Sequence, residues 1–183
     1  MPKHNRRFFT LSRTVCTAVM TALAVFGRIA FAAVPNFKPT TAIVILAGAA
    51  FGPGVGALTG ALAALLSNFT FGQGLWTPVQ MVAWGLIGWL SGLLTKCKFL
   101  DKLWKIVAFG LFSALLYGMI LDTWHIFLYV RPLTKSAILA ALVASAAFNG
   151  VHAFSTVLFL LFLAMPFLRR SARIRLKYMD LEG

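Results

Sequence analysis

The residues best suited to chemistry are a few polar groups set in an otherwise apolar sequence. Asp122 is the one acidic residue that falls within a long apolar run. An ionised carboxylate in hydrocarbon is costly, so this side chain should face the interior of a helix bundle or water and have a partner. Arg28, near the end of the first apolar run, is the natural partner, and His125 is a local alternative. Such an ion pair would either fix helix packing or belong to a binding pocket.

Asn149 and His152 are separated by about one helical turn in the last apolar run, so they share a face and should point inward. Together with His125, His152 could ligate a metal, but a lone intramembrane histidine is more often hydrogen-bonded within the bundle. The two cysteines, Cys16 and Cys97, are isolated and form no C-x-x-C pair. We therefore predict neither a metal site nor a disulfide.

Two segments between apolar runs mix aromatic, amide and hydroxyl side chains. One reads Pro-Asn-Phe-Lys-Pro at positions 35–39, and the other runs from Asn68 to Pro78 with two glycines. Small-molecule pockets combine aromatic faces with a few oriented polar groups. An aromatic belt at the membrane interface is the alternative, and the amide content favours a site. The residues predicted to bind a substrate are Arg28, Asn36, Lys38, Asn68, Phe71, Gln73, Trp76, Gln80, Asp122, His125, Asn149 and His152.

The sequence lacks several patterns typical of enzymes and pumps. It has no G-x-x-x-x-G-K-[ST] phosphate loop, no H-E-x-x-H and no G-x-S-x-G. A single intramembrane carboxylate cannot form the chain of acids that a proton relay uses, and no inverted repeat is evident. We predict a protein without catalytic residues and without a cofactor.

The elements that position the polar residues are predicted to be membrane helices. Hydrophobic residues make up 60% of the chain and charged residues 11%, with a mean hydropathy of +0.87. Soluble domains average about 45–50% apolar and about 25% charged residues. The length of 183 residues allows about six spans. The apolar segments run from about Phe9 to Val34, Thr40 to Phe51, Pro53 to Leu66, Thr77 to Leu94, Leu103 to Tyr129, and Ser136 to Leu168.

Positive charge orients these spans. Of the 17 Lys and Arg residues, four precede or open the first span, four separate the fourth from the fifth, and five follow the last. Six spans place all three clusters on one side, which the positive-inside rule makes cytoplasmic. Anionic lipid headgroups, not nucleic acid, are then the expected partner of this charge. The clusters are Lys3, Arg6, Arg7 and Arg13; Lys96, Lys98, Lys102 and Lys105; and Arg169, Arg170, Arg173, Arg175 and Lys177.

The predicted fold is thus an all-α integral membrane protein with six transmembrane helices and both termini cytoplasmic. Residues 1–183 form one domain with basic tails at about 1–8 and 169–183. The short second and third segments could merge, but five spans would leave one basic cluster outside. The basic start, the apolar run Val15–Gly27 and the triplet Ala30-Phe31-Ala32 also fit a cleavable signal. Cleavage would invert the charge pattern, so the first segment is expected to remain as a helix.

Small residues recur at four-residue spacing, which lets helix backbones approach closely. Packing within the bundle is the expected role of the glycines. The alanine pair could instead face a partner protein. These residues are Gly48, Gly52, Gly56 and Gly60; Gly88 and Gly92; and Ala18 and Ala22.

Over its whole length the chain resembles the substrate-binding S-components of energy-coupling factor (ECF) transporters, which import vitamins into bacteria. The pattern is most similar to the cobalamin-specific type. The residues that carry the resemblance are Phe26-Gly27-Arg28, Pro35-Asn36-Phe37-Lys38-Pro39, Ala50-Phe51-Gly52-Pro53, Ser67-Asn68, Phe71-Gly72-Gln73-Gly74 and Trp76-Thr77-Pro78-Val79-Gln80-Met81.

The resemblance implies a division of labour in the bacterial plasma membrane. The S-component would capture a vitamin, with cobalamin and also cobinamide as the expected ligands, from outside with high affinity. A transmembrane scaffold subunit, EcfT, and two ATPases, EcfA and its paralogue, would then drive release inside. The A-x-x-x-A motif of such first helices contacts the scaffold, and Ala18 and Ala22 match it.

Other functions stay open at the level of sequence. Within transport, the substrate could be another micronutrient such as queuosine or pantothenate. A membrane enzyme acting on lipids lacks an acid–base cluster here, and a structural assembly subunit would not need the polar groups between Asn68 and Gln80.

Overall fold

The chain folds into six helices and has no strand among its described residues. The computed structural model describes the backbone of residues 3–178 and the side chains of residues 11–173. The predicted all-α class is confirmed, because each apolar run forms a helix; the side chains at 1–8 and beyond 173 in the predicted tails lie outside the described residues. The helices are α1 (Lys3–Ala30), α2 (Thr40–Phe51), α3 (Pro53–Phe71), α4 (Trp76–Lys96), α5 (Leu103–Tyr129) and α6 (Lys135–Tyr178).

Among the described residues, five helices are long and apolar enough to cross a membrane, and α2 is the shorter exception. With 12 residues, α2 is about 18 Å long, whereas a hydrocarbon core is about 30 Å thick. It is apolar all round, and every residue from Thr40 to Ala50 is buried. A helix of this kind is surrounded by protein, and α2 indeed packs against α1, α3, α4 and α6.

Glycines let α2, α3 and α4 approach until their backbones touch. A Cβ built on Gly48 or on Gly56 would overlap the carbonyl of Gly88, and a Cβ on Gly60 would overlap the carbonyl of Trp84. No side chain fits at such crossings, so the glycines are required by packing. The prediction that the four-residue glycine spacing serves contacts within the bundle is confirmed for Gly48, Gly56, Gly60, Gly88 and Gly92, but not for Gly52, where a Cβ would meet nothing within 4 Å.

Two glycines with a positive φ flank α3, one at each end. Gly52, at φ 95°, joins α2 to α3 directly, which confirms the predicted turn. Gly72, at φ 96°, ends the helix beyond its predicted end at Leu66. The polar stretch from Ser67 onward continues the helix, and the Ser67 hydroxyl donates to the Ala63 carbonyl at 2.6 Å.

The bundle is densely packed at its centre and more open at one end. Trp84, Ile45 and Leu160 are fully buried where α2, α4, α5 and α6 meet. Most of α6 between Lys135 and Val151 is exposed, so the neighbouring end of α5 is only partly covered. We call the more open end of the bundle the outer end. It carries the connections at 31–39 and 72–75 and lies opposite the basic connection at 97–102.

Candidate functional site

A chain of hydrogen bonds joins α1, α3 and α4 at the outer end. The Nη1 group of Arg28 donates to Ser67 Oγ at 2.5 Å and to Asn68 Oδ1 at 2.9 Å. The amide of Asn68 donates in turn to Thr77 Oγ1 at 2.8 Å and to Gln80 Oε1 at 2.9 Å. Asn68 is fully buried, and all its amide atoms are used, so it holds Arg28 and Gln80 in place. We call Arg28, Asn68 and Gln80 the amide relay.

Two cationic side chains lie against aromatic rings beside the relay. The guanidinium carbon of Arg28 lies 4.8 Å from the ring centre of Phe71 and 5.3 Å from that of Trp84. The ammonium of Lys38 lies 5.7 Å from the centre of the Trp84 ring and 5.9 Å from that of Tyr117. Cation–π attraction at these distances stabilises positive charge in a partly desolvated place.

The connection between α1 and α2 carries Lys38 and is fastened to α6. Asn36 adopts a left-handed backbone, φ 57°, which asparagine tolerates better than most residues. Its side-chain amide donates to the Phe148 carbonyl at 2.8 Å, and its Oδ1 accepts from Lys38 Nζ at 2.7 Å. Ser155 donates to the backbone carbonyl of Lys38 at 3.3 Å. The ammonium is therefore positioned by α6 and by its own loop.

Neither cation has a carboxylate partner among the described residues. Asp101 pairs with Lys105 near the opposite end of the bundle, at 2.7 Å, and the two acidic residues after Tyr178 lie outside the described range. Burial, and secondly the nearby charge of Arg28, lowers the pKa of Lys38 to about 7. The site thus holds positive charge that no described carboxylate neutralises.

The predicted ion pair between Arg28 and Asp122 is wrong. Asp122 Oδ2 accepts from Ser145 Oγ and from Asn149 Nδ2, each at 2.7 Å, whereas Arg28 binds the polar residues of α3. The alternative pair with His125 is also absent, and that ring instead lies 5.1 Å from the ring of Tyr129. Asp122 and Asn149 thus join α5 to α6, and the carboxylate faces α6 instead of α1.

Two cavities open on either side of the relay. The larger, about 440 Å³, lies between α4 and α5, and the smaller, about 210 Å³, lies beneath the 31–39 connection. Gln80 lines the first and Arg28 the second, so Asn68 links the walls of the two. The larger is lined by Trp76, Gln80, Leu121, Asp122, Trp124, His125 and Tyr129. The smaller is lined by Arg28, Phe31, Ala32, Val34, Pro35, Asn36, Phe37, Lys38, Phe71 and Phe148.

A buried aromatic layer forms the floor below the cations. The ring centroids of Trp84 and Tyr117 are 4.6 Å apart in a stacked arrangement, and His152 packs 5.1 Å from Tyr117. Trp84 Nε1 donates to Thr41 Oγ1 at 2.9 Å, and His152 Nε2 lies 3.0 Å from the same hydroxyl. His152 is thus hydrogen-bonded within the bundle, and no group of three potential metal ligands occurs in the described part of the chain.

The connection between α3 and α4 borders the larger cavity. Gln73 is exposed, and its amide donates to the Leu65 carbonyl at 3.1 Å, near the end of α3. Trp124 of α5 donates to the Leu75 carbonyl at 3.1 Å, which ties the connection to α5. Trp76, which follows, is 40% exposed and lines the cavity.

Sequence reasoning missed part of the site. Ser67, Trp84, Tyr117 and Thr41 all contact the cations or the aromatic floor, yet none was among the predicted binding residues. Trp84 follows Gln80 by four positions and so shares its helix face, which was a usable signal. Tyr117 offered none, because nothing in its own span singles out the face that it occupies.

A second surface of interest lies on α1, away from the cavities. Ala18 and Ala22 are exposed, and they border an apolar groove of about 530 Å³ between α1 and α3. The groove is lined by Ala18, Thr21, Ala22, Val25, Phe26, Ile29, Leu62 and Leu66.

Comparison with protein families identifies the chain. The model of the family described as ECF-type riboflavin transporter, S component, matches residues 8–167. The chain belongs to this family. No curated protein and no solved structure gives a significant match.

Membership makes this S-component a substrate-binding part of a transporter and a multi-pass protein of the bacterial plasma membrane. It also implies partnership with an ECF module, that is, EcfT and ATPases. The family description does not confirm the cobalamin-specific type.

Proposed function

We propose that this S-component captures a vitamin at its outer end, between the amide relay and the two cavities, and that cobalamin is the substrate. A separate EcfT scaffold with two ATPases, EcfA and its paralogue, supplies the energy, and the chain itself catalyses no covalent reaction. The proposal joins the family membership to the sequence resemblance described above.

The observation that carries the proposal is the pair of cations, Arg28 and Lys38, without a carboxylate partner among the described residues. Partly buried charges are costly when unpaired, so a ligand group with negative charge or strong acceptor character is favoured. Cobalamin has a phosphodiester in its nucleotide loop and amides around its corrin ring. Its phosphate would accept hydrogen bonds from Arg28 and Lys38. Its amides would pair with the side-chain amides of Gln80 and Asn149.

Riboflavin is the second candidate, because the family description names it. Its flat ring system is neutral and has carbonyl acceptors, so Arg28 could donate to it while Trp76 or Phe71 covers a face. The cavities, of about 440 and 210 Å³, fall around the lower end of the usual range of about 300–1,000 Å³. A corrinoid would use the open outer end of α5 and α6 as well as these cavities.

Calorimetry on the isolated, detergent-purified S-component tests the substrate. Cobalamin, cobinamide and riboflavin are titrated separately, since cobinamide keeps the corrin amides but lacks the phosphodiester. The proposal expects cobalamin to bind most tightly, cobinamide more weakly, and riboflavin not measurably. Tight binding of riboflavin with no heat from either corrinoid would make riboflavin the substrate and end the cobalamin proposal.

The α1 surface around Ala18 and Ala22 is proposed as the contact with EcfT. Both side chains are exposed beside an apolar groove, and small residues allow another helix to approach closely.

A further inference from the structure

The largest cavity described here opens at the cytoplasmic end, opposite the proposed vitamin site. Its volume is about 620 Å³, and it lies between the beginning of the α1 span, the α2–α3 turn and the end of α4. The lining consists of Arg13, Gly48, Ala49, Ala50, Phe51, Gly52, Pro53, Gly54, Val55, Gly92, Thr95, Lys96 and Lys98.

All the charged residues in the described lining of this cavity are basic. Arg13 comes from α1, Lys96 from the last turn of α4, and Lys98 from the connection that follows, with φ 56°. Two separate stretches of chain thus bring three cationic residues to one concave surface, which four glycines also line.

Exposed aromatic residues occur in the chain that follows Lys98. Phe99 is adjacent to Lys98 in sequence and is 55% exposed, and Trp104, near the beginning of α5, is 65% exposed. The ammonium of Lys105, which is outside the cavity lining, lies 5.5 Å from the ring centre of Phe99 and 5.8 Å from that of Trp104. A basic cavity with exposed aromatic residues in the adjoining chain matches a ligand with an anionic head and an apolar tail.

We propose that this cavity binds the headgroup of an anionic phospholipid. Basic pockets between helices on the cytoplasmic side are a known way for membrane proteins to hold such headgroups. The phosphate would lie among Arg13, Lys96 and Lys98, and the acyl chains would pass along Phe99. Free inorganic phosphate has the same charged group but nothing to place against the aromatic surface.

Native mass spectrometry of the full chain tests the proposal. Protein in neutral detergent is mixed with equal amounts of phosphatidylglycerol and phosphatidylcholine, and retained lipids are counted. Lys96→Gln combined with Lys98→Gln should reduce phosphatidylglycerol retention roughly 10- to 30-fold, because each lost charge weakens binding about three- to fivefold. Arg169→Gln combined with Arg170→Gln is the matched control, because it removes the same amount of charge from exposed residues of α6 outside the cavity lining.

Three results would overturn the proposal. Equal retention of both lipids would show that the cavity does not select an anionic headgroup. Equal loss in the two double variants would show a general effect of charge instead of a site. Displacement of the lipid by millimolar inorganic phosphate, with a phosphate adduct on the parent and not on the cavity variant, would assign the cavity to free phosphate. The expected result is a preference for phosphatidylglycerol that phosphate does not abolish and that the cavity variant alone loses.

Discussion

Arg28 combines a structural and a recognition role in one side chain. Its bonds to Ser67 and Asn68 both run through Nη1, so Nη2 and Nε can donate to a ligand in the smaller cavity. Its position near the outer end of the bundle was predictable from its place in the first span, and so was that of Asp122. Their pairing was not, because depth leaves the rotation of each helix about its axis undetermined, and packing turns Asp122 toward α6.

The first prediction concerns the Nη2 and Nε groups of Arg28. Arg28→Gln removes a charge-assisted contact, and a hydrogen bond of this kind contributes about 1.5–3 kcal/mol, or roughly 10- to 150-fold in affinity for cobalamin. Calorimetry measures the change. Arg131→Gln is the matched control, because Arg131 is exposed near the same end and donates to the carbonyls of Phe127 and Val130. Equal affinities of the two variants would remove Arg28 from the site.

The second prediction concerns Lys38, whose lowered pKa of about 7 makes its charge sensitive to pH. An anionic ligand favours the charged form, so binding raises this pKa and takes up a proton. Cobalamin affinity should therefore fall as pH rises through 7, by roughly tenfold between pH 6 and 8 if only the protonated lysine binds. The other titratable or charged groups that face Lys38 are Arg28, Tyr117 and His152.

Calorimetry at several pH values in buffers of different ionisation heat measures both the affinity and the proton uptake. Lys38→Arg keeps a positive charge at every pH used and should flatten the profile. A parent protein whose affinity is constant between pH 6 and 8 would contradict the assignment of Lys38 to the site.

At the scale of the helices, apolar patterning specifies most of the architecture. The bounds of α2 and α5 match the predicted segments because proline, glycine and charge flank their apolar runs. The end of α3 does not match, because Ser67 and Asn68 look like loop residues in isolation. In the bundle their polar groups bond to Ala63, Arg28 and α4, so tertiary contacts extend the helix.

The third prediction tests the glycine contacts of the central helices. Gly88→Val should lower the melting temperature strongly or prevent folding, because its side chain would overlap the backbone of Gly56, and overpacking costs about 1–3 kcal/mol or more. Gly150→Ala is the control, since a Cβ there meets nothing within 4 Å, and it should be neutral or slightly stabilising. Thermal unfolding in detergent compares them, and equal stabilities would argue against the close packing of α3 and α4.

At the scale of the whole molecule, the two ends of the bundle have different chemistry. The outer end carries the amide relay, the aromatic floor and the two cavities beside the relay, while the opposite end carries the basic connection at 97–102. Length and composition were sufficient to predict the number of helices, and charge placement predicts that the basic end is cytoplasmic. They could not give the substrate, because the shape of the pocket depends on side chains from five helices and a loop that pack only in the folded bundle.

The fourth prediction separates transport from binding. Ala18→Trp combined with Ala22→Trp should abolish vitamin uptake in cells that contain EcfT and the ATPases, because added bulk prevents close approach of another helix. Calorimetry on the isolated variant should give the parent's affinity. Leu161→Trp combined with Met165→Trp places the same two side chains at the same spacing on an exposed apolar face of α6 and should leave uptake intact. Normal uptake by the α1 variant would exclude this face as the scaffold contact.

The most direct test of the account identifies the ligand that the protein itself retains. The chain is produced in bacteria grown with a mixture of vitamins, purified without any added ligand, and denatured, and the released small molecules are identified by mass spectrometry. We predict a corrinoid at close to one molecule per chain in the parent and much less in Arg28→Gln. Riboflavin at one molecule per chain would contradict the proposed substrate. If the folded parent protein released no vitamin at all, the proposed function itself would be contradicted.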